Sequence, residues 1–319
     1  MNHTPVTSVG IDVSKRDLTV ALVSEHDAPH IKTVSNSERG VAALLALLNK
    51  HGTAVTVPCV IESTGDYHLR SALMLAEAGY TVNVINPIIT KQYQRTSIRN
   101  SKDDSVDAVR LANIGLREPN LLSFDATKEQ IALKKLVASI GKLEQCKQKL
   151  TAHLKQLETT TEFLGVPANT VTLRQGIAAL DAQIATFEKA TCVQASPDAK
   201  RIATSVRGVS QTSVAKLLTL LDGHTFSDRD KLVAFCGLDV APRRSGSWRG
   251  NEHLSKRGNP HLRKILFQMA WGLKQHNPAY RTYYDRLRLD HKHYFTCLIA
   301  IARKFLRFLY ADLYKNPIG

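Results

Sequence analysis

Residues 7–24 read Thr7-Ser8-Val9-Gly10-Ile11-Asp12-Val13-Ser14-Lys15-Arg16-Asp17-Leu18-Thr19-Val20-Ala21-Leu22-Val23-Ser24. Two short β-branched runs, 7–13 and 18–24, flank a charged turn at 14–17, which is the pattern of a β-hairpin. Working outward, residues 31–34 supply a third strand. Ser37 then caps a helix whose Val41, Leu44, Leu45 and Leu48 recur at helical spacing. Residues 55–61 form a mostly apolar strand of the kind buried on both faces of a sheet, although Pro58 cannot donate to a ladder. A helix over 68–78 ends at Gly79, and a strand over 81–85 closes at Asn86-Pro87. Beyond a polar loop, 104–114 is helical again, with Val106, Val109, Leu111 and Ala112 available for packing. Three strands followed by alternating strand and helix make a mixed α/β sheet.

The period then changes. Leu133, Leu136, Ile140, Leu143, Lys147, Leu150, Leu154 and Leu157 fall on alternating three- and four-residue steps, an a/d heptad register with one polar interruption. After Gly165 and Pro167 a second register runs through Leu173, Ile177, Leu180, Ile184 and Phe187. These two stretches predict an antiparallel helical hairpin, or a coiled coil shared with another subunit. From about Ser196 the chain is helical and basic. Val206-Arg207-Gly208-Val209-Ser210 before a helix at 212–221 resembles a helix-hairpin-helix element, with Ser210 where a second glycine is usual. Residues 242–264 read as a Gly- and Arg-rich loop, and helices continue to Tyr314. The expected domains are therefore 1–122, an arm at 123–192, and 193–319.

Charge is concentrated. Of a net +15, residues 201–319 carry +13, from 21 Lys and Arg against 8 Asp and Glu. That asymmetry is what a polyanion-binding half would show, although basic surfaces also occur on ordinary soluble proteins. A basic membrane-surface helix fits less well, because the region lacks a clear lipid-facing apolar stripe. No apolar run reaches the length of a membrane span, and the first residues lack the pattern of a signal peptide, so a cytoplasmic location is expected. Five cysteines, none in a CxxC pair, read as reduced thiols and not as a zinc site.

Four carboxylates stand out. Asp12 ends the first strand and Glu62 the central one, while Asp104 and Asp107 share one face at the start of a helix. Carboxylates converging from two strand ends and a helix form an all-oxygen site suited to Mg²⁺ or Mn²⁺. Two such ions can stabilise both the attacking and the leaving oxygen of a phosphodiester. Taken singly, each residue has a plainer reading: Asp12 as a strand-end turn residue, Glu62 as a cap, Asp104 as a helix N-cap and Asp103 as surface charge. Asp12 also suits the phosphate loop of an actin-like sugar kinase, but no second glycine-rich phosphate loop follows.

Four motifs carry a resemblance. They are Gly10-Ile11-Asp12-Val13-Ser14-Lys15, Ile61-Glu62-Ser63-Thr64-Gly65-Asp66-Tyr67, Val84-Ile85-Asn86-Pro87 and Ser101-Lys102-Asp103-Asp104-Ser105-Val106-Asp107-Ala108. In this order they resemble the DEDD transposases of the IS110 family of insertion sequences, whose architecture pilin-inverting site-specific invertases share. The second half is similar too, through Ala234-Phe235-Cys236-Gly237-Leu238, Arg244-Ser245-Gly246-Ser247, Arg249-Gly250 and Leu254-Ser255-Lys256-Arg257-Gly258-Asn259.

The resemblance implies an α/β plus α chain: a RuvC-like RNase H-fold domain, a coiled-coil insertion and a mostly helical transposase domain. It places the acidic positions on Asp12, Glu62, Asp104 and Asp107 and the essential serine on Ser245. It also implies DNA and a structured guide RNA as partners, and a dimer or tetramer in which one subunit's serine meets another's acidic site. The spacer between Pro242 and Ser245 is short and Trp248 is unusual for the family, so Ser247 is a second candidate nucleophile. Arg243, Arg244, Arg249, Lys256, Arg257, Arg263 and Lys264 are the candidate phosphate contacts. Tyr67 and Asn86 are expected to shape the floor of the acidic site. Tyr280, Tyr283, Tyr284 and Tyr294 are expected in the helical core, with stacking on RNA bases as the other reading. Two rival functions use the same residues: a junction-resolving nuclease with water as nucleophile, and a nucleic-acid-binding protein without catalysis.

Overall fold

The hairpin forms as β1 (Val6–Val13) and β2 (Asp17–Ser24), antiparallel, with Ile11 opposite Val20. In the computed structural model, residues 4–63, 65–94, 103–118, 120–241, 244–245, 248–249, 253–254 and 258–315 are described. They divide into two units, Met1–Lys128 and Glu129–Gly319.

In the first unit β3 (His30–Ser35) pairs antiparallel with β2, while β4 (Cys59–Glu62) and β5 (Val82–Ile85) add in parallel on the other side of β1. The order is β3-β2-β1-β4-β5, and only β2 runs against the rest. Strand alternation sorts the side chains. Val9, Ile11, Cys59 and Ile61 belong to one core with residues of α1 (Glu38–Lys50) and α2 (Leu69–Glu77). Val60 and Ile85 face the opposite way and pack with Leu111 and Ile114 of α4 (Asp104–Arg117).

Two expectations change. Pro58 stays outside the ladder and offers only its carbonyl, which accepts from the Val9 N–H at 2.9 Å. The strand therefore begins at Cys59, as a residue without an N–H requires, and Val55 is half exposed. The polar loop after Ile85 contains a helix, α3 (Pro87–Gln94), which begins with the Asn86 side-chain oxygen accepting from the Ile88 N–H at 2.9 Å.

In the second unit the two heptad stretches are α5 (Lys128–Leu164) and α6 (Val171–Gln194). Ion pairs join Lys147 to Asp181 and Glu158 to Arg174, so the partners run in opposite directions and the helices are antiparallel. Ile140, Leu154 and Ile184, all register positions, are buried. Seven further elements follow before the C-terminal helices. They are α7 (Pro197–Ser205), α8 (Gln211–Leu221), α9 (Arg229–Phe235) and the two-residue strands β6 (Val240–Ala241), β7 (Arg244–Ser245), β8 (Trp248–Arg249) and β9 (His253–Leu254). The expected loop over 242–264 thus contains two small ladders, β6 with β9 and β7 with β8. Helices α10 (Pro260–His276), α11 (Pro278–Leu289) and α12 (Tyr294–Tyr310) close the unit over a core that includes Leu217, Leu266, Leu298 and Phe305. Among the described residues, no helix is long and apolar enough to cross a membrane.

A charged knot ties four helices of this unit. The Lys216 ammonium of α8 donates to Glu188 of α6 at 2.8 Å and lies 3.5 Å from Glu144 of α5. Glu144 also accepts from Lys264 of α10 at 2.6 Å. The Lys216 side chain is only 8% exposed. Removing one member of a buried pair leaves the others uncompensated. Lys216→Ala is expected to cost about 3–5 kcal/mol in urea denaturation. Lys216→Met, which keeps the stem, is expected to cost about the same. A loss below about 1 kcal/mol in both would show that the knot contributes little.

Candidate functional site

The site starts from β1. Ser8, Gly10 and Asp12 share the face that looks toward α4. A Cβ built on Gly10 would lie 1.9 Å from the Ala108 carbonyl oxygen and 2.4 Å from the Ala112 nitrogen, so α4 rests directly on the strand backbone. Ser8 fixes the contact by donating its hydroxyl to the Ala112 carbonyl at 2.8 Å. The parallel register pairs Gly10 with Val60 and Ile11 with Ile61, so the next rung sets Asp12 beside Glu62 on that same face. The first turn of α4 then carries Asp104 and Asp107 over this edge. Asp103 is the N-cap, accepting from the Ser105 N–H at 3.1 Å. Asp104 is thereby relieved of the capping role that its position also allowed.

Electrostatics ties the four together. The Asp12 carboxyl is pushed up to about 6, first by burial and then by the negative charges of Asp104, Asp107 and Glu62. Among the described residues, however, no three His, Cys, Asp or Glu close to ion-holding distance. Asp107 is instead engaged by Arg110, one turn further along α4, whose side chain is 14% exposed. The donor set is right for a hard divalent cation, all carboxylate oxygen around one strongly negative locus. Arg110 and Gly10 were both missed in the sequence. An Arg three residues after Asp107 at helical spacing was the available signal for the first.

Tyr67 and Asn86 serve the frame: the Tyr67 carbonyl accepts from Asn36, and Asn86 starts α3. The five cysteines are free, with Cys59, Cys236 and Cys297 buried.

In the second unit α7, a turn and α8 realise the helix-hairpin-helix pattern. Gly208 takes φ +103°, and Ser210 caps α8 by accepting from the Ser213 N–H. A Cβ on Gly208 would meet the Gly272 carbonyl oxygen at 2.7 Å, so this turn is pressed against α10. Ser245 lies in β7, paired with Trp248, and Arg244 is paired with Arg249. Arg263 donates to the Gly258 carbonyl, and Lys264 is bound to Glu144 in the charged knot. Arg243, Ser247, Lys256 and Arg257 lie outside the described residues. Tyr280 and Tyr284 are buried, as core packing requires.

A mixed α/β domain that gathers four carboxylates at a strand edge, followed by a helical unit that holds most of the positive charge, is the layout of a nucleic-acid-processing enzyme. Two family comparisons make it specific. The DEDD_Tnp_IS110 family, described as a transposase, matches residues 9–160, and the "Transposase IS116/IS110/IS902 family" matches residues 200–285. The chain belongs to the IS110 family of DEDD transposases.

It is 24% identical to the pilin gene-inverting protein of Moraxella bovis over 97% of this chain and 96% of that one. It is 34% identical to the insertion element IS110 uncharacterized 43.6 kDa protein of Streptomyces coelicolor, over 35% of this chain and 28% of that one. Among solved structures, the Thermus thermophilus RuvC structure is similar over 37% of this chain and 99% of that one. Its 18% identity and TM-score of 0.28 are too loose to assign the fold by.

The raised Asp12 carboxyl has a thermodynamic consequence. With a folded pKa near 6 against an ordinary value of 3.8, the folded state holds a proton that the unfolded state has released. Stability contributed at this position therefore falls as pH rises from about 4 to 6 and stays low above. Asp12→Asn, which removes the charge, is expected to melt above the wild type at pH 7.5 in a chelating buffer and level with it at pH 4.5. Equal melting at both values would show that the four charges do not strain the fold.

Proposed function

We propose that this chain cuts and rejoins DNA strands as an insertion-sequence recombinase, with Asp12, Glu62, Asp104 and Asp107 holding Mg²⁺ or Mn²⁺ and Ser245 as nucleophile. The observation that supports the reading is the convergence of acidic charge at Asp12, whose carboxyl is pushed up by burial and then by the negative charges of Asp104, Asp107 and Glu62. The strand order β3-β2-β1-β4-β5, with β2 alone reversed, supports an RNase H-like, RuvC-type sheet for this unit. A divalent cation bound there would supply Lewis-acid stabilisation of the charge that develops on the phosphoryl oxygens.

The residues divide the remaining work. Ser245 Oγ forms a bond to phosphorus as the bond from phosphorus to the DNA 3′ oxygen breaks, leaving a phosphoserine and a 3′ end that takes up a proton. Arg244 and Arg249, register partners in the β7–β8 ladder, would pair with phosphate oxygens near that serine. Arg243, Lys256 and Arg257 would extend the contact along the backbone, whereas Lys264 is engaged by Glu144 and Arg263 by the Gly258 carbonyl. Because the bond energy stays in the covalent link, a second 3′ hydroxyl can reverse the step on another strand without a nucleotide cofactor. The serine of one copy would act at the acidic site of another, in a dimer or tetramer built through α5 and α6.

The family resemblance supports a structured guide RNA as the partner that selects donor and target. Similarity to the Moraxella bovis pilin gene-inverting protein supports inversion of a DNA segment as one outcome. A water-using nuclease needs only the four carboxylates and would leave hydrolysed ends.

Two measurements test this. Junction PCR in cells carrying the gene with its intact flanks should give a rejoined circle or inverted junction from wild type, and none from Asp12→Asn or Ser245→Ala. A junction from Ser245→Ala would remove the serine from the pathway and leave the carboxylates in place. In purified protein at pH 7.5, millimolar Mn²⁺ should raise the melting temperature of wild type by several degrees and that of Asp12→Asn far less. An equal rise in both proteins would place the cation elsewhere.

A further inference from the structure

In the second unit an apolar cavity of about 350 Å³ is lined by Leu238, Leu254, Phe267, Phe295, Ile299 and the side chain of Arg263. That size lies at the lower end of the range of about 300–1,000 Å³ spanned by ligand pockets. Leu254 belongs to β9 and Leu238 leads into β6, so the ladder that brackets the Ser245 hairpin in sequence forms part of the wall.

The aromatic residues form a row. The Phe267 and Phe295 rings are 5.7 Å apart and 28° from parallel, and His293 and Phe295 are 5.6 Å apart and 22° from parallel. Phe295 remains 55% exposed, an unusual state for a ring beside a closed core. One cationic side chain lines the cavity, that of Arg263, which donates to the Gly258 carbonyl. A guanidinium carries five N–H donors and can bond a further acceptor.

We infer that this cavity is a slot for one unpaired nucleobase of a single-stranded DNA or RNA segment. The base extends the row of near-parallel rings and brings an acceptor toward Arg263. The inference rests on the nucleic-acid function proposed above and adds the place where a base leaves its stack. A flat heteroaromatic ring suits this wall because stacking on aromatic side chains is indifferent to base identity. Its phosphates suit a half of the chain that carries +13.

The test is binding of the full-length protein to single-stranded DNA and RNA 20-mers at several salt concentrations, using wild type, Phe295→Ala and Ile299→Trp. The first variant removes an exposed ring and the second fills the cavity, so neither deprives the core of support. Loss of one base stack corresponds to roughly 5- to 100-fold weaker binding. Both variants should show it with the salt slope unchanged, because phosphate contacts are untouched. An abasic site scanned along the oligonucleotide should weaken wild type at one position and leave Phe295→Ala insensitive there. Comparison of the two oligonucleotides assigns the slot to DNA or RNA. Wild-type affinity in both variants with a flat abasic scan would overturn the slot and leave nucleic-acid binding intact. Unchanged affinity with a shifted sedimentation coefficient would give the cavity to a second copy. Absence of wild-type binding at low salt would sink the nucleic-acid reading itself.

Discussion

The first unit depends on how closely α4 approaches β1. A helix normally sits on a sheet at side-chain distance, but here the strand presents Gly10 with Ser8 below it, and the helix presents Ala108 and Ala112. Small residues on both surfaces bring backbone to backbone. That approach carries the first turn of α4, and with it Asp104 and Asp107, down to the strand edge where Asp12 and Glu62 emerge. Replacing either small surface by a larger one would move two of four carboxylates, though no functional group had been altered.

The assembled charge works against the fold. Asp12 is held in a setting that penalises its charged form, because burial and three neighbouring carboxylates all oppose ionisation. Arg110 offsets part of this at Asp107, and the capping role of Asp103 leaves Asp104 available. A cluster of like charges held at one strand edge is thus a site of local instability, as is common where function and stability compete.

Much of this was legible in the chain. The period-two runs of β1 and β2 and the heptads of α5 and α6 are long enough that local pattern and tertiary packing agree, and both were found. Asp12 and Glu62 were legible as strand-end acids because alternation fixes which residues share a face. Other features were not. Proline's lack of a donor shortened β4, a consequence that the apolar run 55–61 concealed. Helix α3 is short and begun by an asparagine side chain, so its pattern resembled a polar loop. The two-residue strands β6 to β9 have no period to read. Gly10 gave no signal beyond its presence in a strand, because the reason for it lies about a hundred residues later. The pairing of Lys264 with Glu144 also needed the structure, since sequence offers an exposed clamp and a buried ion pair as equal readings of a basic residue.

The knot formed by Lys216, Glu144, Glu188 and Lys264 sits partway along α5, with the hairpin running on to Leu164. Twenty residues of helix beyond Glu144 extend about 30 Å. Over that length a change of ~10° in the angle of the arm at the knot carries its tip about 5 Å, roughly one helical turn. The four charges of the knot therefore fix the base from which the hairpin projects, and small errors in that base are magnified at its tip.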